Sequence, residues 1–564
     1  MFTERFSEIN YKRPDLEAVR NGFNTYMEAF KKAKSYEEAR RLFLEHNHSI
    51  EHAITMETVA SIRNTVDTGD KFYEEEMDYF NQEMPKFGPL EKEANQLLLN
   101  SSYKKDFASE FGEYFIQKME IGQRLESEAI IPEKVQEAQL SQEYSKTVAQ
   151  CSTDFQGEKC NFYGLLKHMQ STDREERRLA FKAWAKMYSQ VAPKLDDIYD
   201  QLVKLRVDIA RKLGFDSFID YIYLERGRYD YTKEDVEKFR SFVKKYITPA
   251  CQKLYDLQKK RIGVDKLHYY DEALLFPEGN ATPVGTTAEL VEKANAMYRE
   301  MSRETGEFFD FMHGHELYDL ESKPGKRMGG YCTFLAEYKA PFIFSNFNGT
   351  SADVDVLTHE AGHAFESFTA SKHQTLLDMV WSTSEIDEIH SMTMEHFAYP
   401  WMESFFEDAD KYRYLHLTEA FRAIPYLVCV DEFQHRVFEK PEMTADERYA
   451  LWRDIEKAYM PWRDYDGNEF LEKGGFWMQK QHIFLYPFYY VDYALAQVCA
   501  FQYYGGMKKD RSKTWNDYYT LCCAGGSKGY FELLKVGSLE SPFKEETVKA
   551  VSEDVMEELI SQKY

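Results

Sequence analysis

The amino-acid sequence predicts a mainly α-helical protein with one small β-sheet. Residues 15–46 and 173–214 place apolar side chains three and four positions apart with charged residues between them, which is the pattern of amphipathic helices. Residues 324–350 instead begin and end with turn residues and contain two short β-prone runs, YCTFLAEY and FIFSNF. A chain of 564 residues is also long enough to form two or more lobes.

The predicted helices follow one another along most of the chain. Residues 1 to about 270 are predicted to be helical, and Gly214 is expected to end one of these helices. Residues 274–287 are rich in Pro, Gly, Asn and Thr, which predicts a loop. After the predicted sheet the helical pattern returns, where Thr350 or Ser351 could cap the next helix, and it continues to the C-terminus.

Residues 483–504 are apolar enough to be mistaken for a membrane span. They contain six tyrosines together with Asp492, Gln497 and Gln502. Because polar groups are costly in lipid, this composition favours a buried helix beside a polar cavity.

The charge balance limits the possible partners. The chain carries 96 acidic and 71 basic residues, a formal net charge of −25. This excess argues against nucleic acid and anionic membranes, because both need clustered positive charge. The N-terminal residues are charged from residue 4 onward and have no apolar core, so we expect no signal peptide. The eight cysteines are scattered without a CxxC pair, which predicts reduced thiols in a cytoplasmic protein.

The segment LTHEAGHAF, residues 357–365, is the strongest functional motif. On a helix, His359 and His363 project from the same face and can share one metal ion. A chance HExxH is expected roughly 0.04 times in a chain of this composition. The alternative interpretation is a helix with two solvated or core histidines.

A catalytic zinc needs a third protein ligand and keeps its fourth position for water. Glu366 and Thr369 exclude the pattern in which a third histidine follows on the same chain segment. A glutamate on the following helix is the other common solution. Several candidates lie in residues 382–397: Glu385, Asp387, Glu388, His390, Glu395 and His396.

HEAGHAF, followed 25 residues after His363 by EIHSMTME, resembles the zinc oligopeptidases of the thimet oligopeptidase and oligoendopeptidase F group. The length and N-terminus suit the bacterial oligoendopeptidase F branch, which includes the Pz-peptidases. The resemblance implies one Zn²⁺ per chain, bound by His359, His363 and Glu388. It also implies that Glu395, two helical turns beyond Glu388, is a partner of a ligating histidine.

A downstream segment, HIFLYPFYYVDYALA, resembles the family's segment of histidine and tyrosines. The resemblance implies that Tyr493, with His482 and Tyr490 nearby, donates hydrogen bonds to the oxyanion of the reaction. Tyr490 and Tyr493 are three apart on a predicted helix and so share a face. The alternative for any one of the 40 tyrosines is core packing.

The resemblance also implies a fold of two mainly helical lobes around a deep substrate channel, with the small sheet next to the HExxH helix. Residues 1–190 would form an N-terminal lobe and part of the channel wall, and residues 191–564 the catalytic region. The β-prone run FIFSNF could be a sheet edge to which an extended peptide adds.

The expected activity is hydrolysis of internal bonds in short peptides of roughly 5–20 residues. Glu360 would act as general base on a zinc-activated water, and pass the proton to the leaving nitrogen. Two alternatives remain: an exopeptidase of the same fold that removes C-terminal dipeptides, and a peptide-binding protein with a structural zinc. The sequence leaves the oligomeric state open.

Overall fold

A computed structural model describes residues 4–562 of the chain. These residues form 23 α-helices and five short strands, and 71% of the chain is helical. The prediction of a mainly α-helical protein is therefore confirmed.

Fourteen helices precede the larger sheet. In chain order they are α1 (Leu16–Phe30), α2 (Tyr36–Val66), α3 (Lys71–Glu83), α4 (Gly88–Leu99), α5 (Lys104–Phe111), α6 (Glu113–Gly122), α7 (Ile131–Ala149), α8 (Phe162–His168), α9 (Arg174–Lys212), α10 (Phe218–Glu225), α11 (Lys233–Phe242), α12 (Thr248–Arg261), α13 (Thr287–Met301) and α14 (Arg303–Gly314). Gly214 follows α9 with a φ of 82°, as expected for a residue that ends a helix.

Nine helices follow the larger sheet. They are α15 (Ala352–His373), α16 (Ser384–Phe397), α17 (Ala409–Glu439), α18 (Ala445–Tyr459), α19 (Glu469–Lys473), α20 (Gln481–Leu485), α21 (Tyr490–Ala524), α22 (Tyr530–Val536) and α23 (Glu545–Ser561). The first half of α21 is buried, and within residues 4–562 no helix is long and apolar enough to cross a membrane.

The five strands form two sheets. Strands β1 (Thr153–Phe155) and β2 (Glu158–Cys160) make an antiparallel hairpin that the sequence did not predict. Strands β3 (Tyr318–Glu321), β4 (Tyr331–Leu335) and β5 (Ala340–Phe347) make the larger sheet, in the order β3-β5-β4. The two predicted β-prone runs are β4 and β5.

The prediction that FIFSNF forms a sheet edge is wrong. Strand β5 lies in the centre of the sheet, parallel to β3 and antiparallel to β4, and all eight of its residues are buried. A continuous apolar run is typical of a strand covered on both faces, and the short polar strand β3 gave too weak a signal to predict. The two edge strands of this sheet are β3 and β4.

Helix α15 contains the HExxH motif and lies between the larger sheet and two later helices. It packs against β4 and β5 on one side and against α16 and α21 on the other. Ser351 precedes the helix but its side chain accepts no capping hydrogen bond, and the Thr350 hydroxyl donates to Asn348 instead. The predicted side-chain cap is therefore absent. Asp353, in the first turn, accepts hydrogen bonds from the backbone of the preceding turn.

The hydrophobic core divides into a large cluster and a smaller N-terminal cluster. The smaller one is built from α1–α6 and includes Leu376 and Met379, which follow α15 in the chain. The larger one contains buried residues of α7–α9 together with those of the later helices. The proposed lobe boundary near residue 190 remains a prediction.

Candidate active site

The predicted ligands converge where α15 faces α16. The Nε2 atoms of His359 and His363 lie 3.2 and 3.3 Å from Oε2 of Glu388. One ligand atom from each residue lies within 4.8 Å of the others. Two imidazole nitrogens and one carboxylate oxygen are a donor set that suits Zn²⁺. Glu388 is 1% exposed, whereas the side chain of His359 is 19% exposed.

A glycine in the motif explains how the two helices come this close. A Cβ atom at Gly362 would lie 2.5 Å from Cα of Ser391 and 2.8 Å from the carbonyl oxygen of His390. Both are backbone atoms of α16, so no side-chain movement could relieve the clash. The small residue between the two histidines therefore sets the distance from them to Glu388.

A hydrogen-bonded chain behind the ligands fixes the orientation of His359. Glu395 lies with Oε1 2.6 Å from Nδ1 of His359 and Oε2 2.8 Å from Nε2 of His416. Burial raises the pKa of Glu395, but the hydrogen bonds from both histidines outweigh it and lower the pKa to about 2. An ionised Glu395 makes Nδ1 of His359 a donor, which leaves the Nε2 lone pair for a metal.

Glu388 is held by two hydroxyl groups. Ser391 donates to Oε2 at 2.9 Å and Tyr489 donates to Oε1 at 2.5 Å. Burial raises the pKa of Glu388, but the charge on His363 and hydrogen bonds from both histidines bring it well below its usual range. Tyr489 was not predicted. It lies four residues before Tyr493, so the helical spacing used for Tyr490 and Tyr493 would also have pointed to it.

Glu360 lies beside the ligand set without being part of it. Its carboxylate is buried and Oε2 has no hydrogen-bond partner. A Cβ atom at Gly330 would be only 3.0 Å from Oε1, so this glycine leaves room for the carboxylate next to the start of β4. Burial raises the pKa of Glu360, as is useful for a group that must accept a proton and release it.

Of the three predicted oxyanion donors, two line the cavities at the ligand set and one does not. His482 and Tyr493 both line the cavities around Glu360, with Tyr493 Oη 3.4 Å from His482 Nε2. Burial lowers the pKa of His482 to about 3, so its imidazole is neutral. Tyr490 lies behind this pair, with its ring 4.9 Å from that of His482, and it is not among the residues that line either cavity.

Two cavities meet at the ligand set. The larger has a volume of about 730 Å³ and is bounded by α7, α8, α9 and α17 as well as by the site. The smaller has a volume of about 310 Å³ and is bounded by Cys332, Trp381, Tyr486 and Tyr489. Residues common to both are Arg327, Gly330, His359, Glu360, Gln481, His482 and Tyr493. A chain passing from one cavity to the other would cross the site.

A second group of metal-ligating side chains was not predicted. Glu158, Cys160 and His168 also bring three potential ligand atoms within 4.8 Å of one another. Glu158 is exposed, and Nδ1 of His168 lies 2.6 Å from a carboxylate oxygen of Glu176. Burial raises the pKa of the Cys160 thiol, whereas the thiolate is the form that binds metals. The group on α15 and α16 is therefore the stronger candidate.

An HExxH helix, a glutamate from the next helix and an unpartnered acid open to two cavities define a metallohydrolase site. The sequence model for "Peptidase family M3" matches residues 167–557, and that for "Peptidase M3 N-terminal domain" matches residues 6–125. The chain therefore belongs to peptidase family M3 and is a metallopeptidase by family.

Individual relatives agree with this assignment. A structure of PZ peptidase A with an inhibitor is 44% identical, with a TM-score of 0.97 over 99% of this chain and 100% of that one. A crystal structure assigned as an oligoendopeptidase F is 43% identical, with a TM-score of 0.98 over 100% and 99%. The resemblance to the oligoendopeptidase F group and the Pz-peptidases is thereby confirmed.

A curated relative is more distant. Oligopeptidase PepF of Bacillus subtilis (strain 168) is 23% identical over 417 residues. The match covers 70% of this chain and 58% of that relative, so the chain spans less than two thirds of its length.

Proposed function

We propose that this protein is a zinc-dependent endopeptidase that hydrolyses internal bonds of short peptides, of roughly 5–20 residues. The observation that supports it is the unpartnered carboxylate of Glu360, beside three convergent ligands and between two cavities. The names oligopeptidase and oligoendopeptidase F among the relatives agree with this substrate class. The sequence-based expectation of a cytoplasmic protein remains a prediction.

The ligand set would be His359, His363 and Glu388, with Glu395 orienting His359. Zinc bound there would polarise the peptide carbonyl and lower the pKa of a coordinated water toward 7. The carboxylate of Glu388 carries the negative charge that offsets part of the charge of the cation.

The remaining steps belong to side chains of the chain itself. Glu360 would take a proton from the attacking water and deliver it to the leaving nitrogen. Its raised pKa favours the first half of this cycle, because a stronger base takes the proton from water more readily. His482 and Tyr493 would donate hydrogen bonds to the oxyanion, because both line the junction of the cavities and the neutral imidazole of His482 can donate without losing a charge.

Two features favour cleavage within the peptide over the alternatives. Cavities on both sides of the ligands can hold substrate on both sides of the cleaved bond, whereas an exopeptidase needs one side closed. A purely structural zinc would need no unpartnered acid next to its ligands, and Glu360 is such an acid.

The test is hydrolysis of peptides of 8–12 residues with both ends blocked, analysed by mass spectrometry. We expect internal cleavage that a chelator abolishes and that one equivalent of Zn²⁺ restores. A protein that binds zinc and these peptides but leaves them intact would contradict the enzymatic role. Cleavage of peptides with free ends only would favour the exopeptidase.

A further inference from the structure

Arg327 lines the active site but has no part in metal binding, proton transfer or oxyanion binding as proposed above. It precedes β4, on the bend that leads to Gly330, and it lines both active-site cavities. It also lines a third cavity of about 270 Å³, which is bounded by residues of α2, α3 and α7. Its guanidinium group is therefore close to any chain that passes through the site.

The charge of Arg327 has no counter-ion among the residues that the structure describes. Its Nη2 donates a hydrogen bond of 3.1 Å to the hydroxyl of Tyr486, and its Nε is buried without a partner. Within residues 4–562, no carboxylate oxygen lies within 4.0 Å of its nitrogen atoms. The side chain is half-buried, and its guanidinium carbon lies 5.7 Å from the ring centre of Tyr331, which stabilises the charge only in part. A partly buried cation without a counter-ion is costly.

Three other arginines near the site are paired with acids, and a fourth, Arg422, donates to the side-chain oxygen of Gln258 and to the carbonyl oxygen of Glu272. Arg463, which also lines the larger cavity, lies 2.8 Å from a carboxylate oxygen of Glu272. Arg226 and Arg228 lie 3.0 and 2.6 Å from the two oxygens of Asp492. Arg463, Arg226 and Arg228 therefore each have an acidic partner. Arg327 has none, although it lines the cavities in which substrate would bind.

We propose that Arg327 binds a carboxylate group of the peptide substrate. This inference rests on the proposed function and names a feature of its substrates. The planar guanidinium group matches a carboxylate with two parallel hydrogen bonds, and such charge-assisted bonds are stronger than neutral ones. The free C-terminus is the carboxylate that every short peptide has, and an acidic side chain is the other source.

The position of Arg327 limits which bond would be cleaved. Gly330 lies against Glu360, and Arg327 is three positions before Gly330 in the chain. Their Cα atoms can be at most about 11 Å apart. An extended substrate advances about 3.3 Å per residue, so a carboxylate bound at Arg327 would lie only a few residues from the cleaved bond.

Lys480 provides the matched comparison. It lines the larger cavity and has no ion pair among the described residues, but its ammonium group lies 5.4 and 5.1 Å from the ring centres of Tyr426 and Tyr490. The two rings therefore partly stabilise its charge. Burial lowers the pKa of Lys480 to about 8, whereas an arginine stays charged at all working pH values.

The experiment compares peptides of one sequence that end in a free carboxylate or in an amide. We expect the native enzyme to have a kcat/KM about 10- to 100-fold higher for the free acid, mainly through KM. R327Q should bring this ratio near one, R327K should keep part of it, and K480M should keep all of it. The ratio of kcat/KM for the acid to kcat/KM for the amide is measured on the same variant. A general loss of activity lowers both values and leaves their ratio unchanged.

A second series introduces glutamate or glutamine at each position of the amidated peptide. If one glutamate restores the Arg327-dependent preference, the bound group is a side-chain carboxylate, and the proposal holds with that source. A preference that survives R327Q, or that only K480M removes, would overturn it. Equal cleavage of acid and amide by the native enzyme, with no glutamate position that gives an Arg327-dependent gain, would also overturn it, while leaving the endopeptidase function intact. Failure to cleave either peptide would instead contradict the proposed function itself.

Discussion

At the scale of single residues, Glu360 separates metal binding from catalysis. It contributes no ligand, so Glu360→Gln should keep the zinc content of the native protein. Glutamine keeps the shape of the side chain but cannot accept the proton, so kcat should fall at least about a thousandfold. Metal analysis and kinetics on the same sample test both halves of this prediction. Near-normal turnover would show that another group is the base.

Substitutions of Tyr489 and Tyr493, which both line the smaller cavity, should differ in effect. Tyr493→Phe removes a hydroxyl that faces both cavities, so kcat should fall roughly 100-fold with little change in KM. Tyr489→Phe removes a hydrogen bond to Glu388, so zinc affinity should fall by about 10-fold or more.

Competition with a chelator, together with kcat at saturating zinc, distinguishes the two tyrosine variants. If Tyr489→Phe lowered kcat at saturating zinc as much as Tyr493→Phe, the oxyanion donor would have been assigned to the wrong tyrosine.

The predictability of the site differs from residue to residue. The spacing of His359, Glu360 and His363 is local, and one helical turn suffices to place them together. Glu388 could be chosen from its neighbours only through the family resemblance, because a contact between two helices leaves no fixed spacing in the sequence. Tyr489 was missed although its four-residue spacing from Tyr493 pointed to it. Arg327 was missed because nothing local distinguishes it from arginines with ordinary surface roles.

At the scale of secondary-structure elements, the packing of α15 on α16 should depend on Gly362. Gly362→Ala forces the backbones apart and should destabilise the protein by about 1–3 kcal/mol. It should also weaken zinc binding, because Glu388 moves away with α16. The control is Gly22→Ala in α1, where nothing lies within 4 Å of the added atom and stability should be kept or raised.

Thermal unfolding and metal titration of the two glycine variants measure these effects. Equal stability and equal zinc affinity of the two variants would show that the helices can separate without cost.

Helix α16 carries two glutamates that should respond differently. Glu388→Ala removes a ligand and should empty the site on dialysis. Glu395→Ala removes the partner of His359 and should weaken zinc affinity by about 10- to 100-fold without abolishing it. Metal content measured at several free-zinc concentrations decides between the two roles. An empty site in the Glu395 variant with a full one in the Glu388 variant would reverse the assignment.

Helices and strands whose formation depends on nearby residues could be predicted from the sequence, and those that depend on distant contacts could not. The long amphipathic pattern predicted α1, α2 and α9. The β-prone runs between turn residues predicted β4 and β5. The neighbours of β5 were not predictable, because the order of strands depends on contacts between distant parts of the chain. The hairpin β1–β2 was missed since strands of three residues are too short to show a period.

At the scale of the whole molecule, the walls of the larger cavity come from both halves of the chain. Tyr144, Tyr163 and Tyr188 line it from α7, α8 and α9, and Arg422 and Tyr426 from α17. This arrangement agrees with the proposal that the N-terminal lobe forms one wall of a substrate channel. A substrate would have to enter as an extended chain between these helices.

We therefore expect the enzyme to cleave flexible peptides and to leave folded proteins intact. Unfolding a domain costs about 5–15 kcal/mol, and binding in these cavities would have to supply that free energy before any bond is reached. The test is to incubate the enzyme with peptides of graded length and with one protein in its folded and its unfolded form. Mass spectrometry of the fragments then shows which of these substrates are cleaved. The rate should fall as the peptides exceed roughly 20 residues, and the unfolded protein should be cleaved slowly at its ends if at all. Rapid internal cleavage of the folded protein would mean that the helices on the two sides of the cavity separate widely in solution, so that the size limit is not a property of the active enzyme.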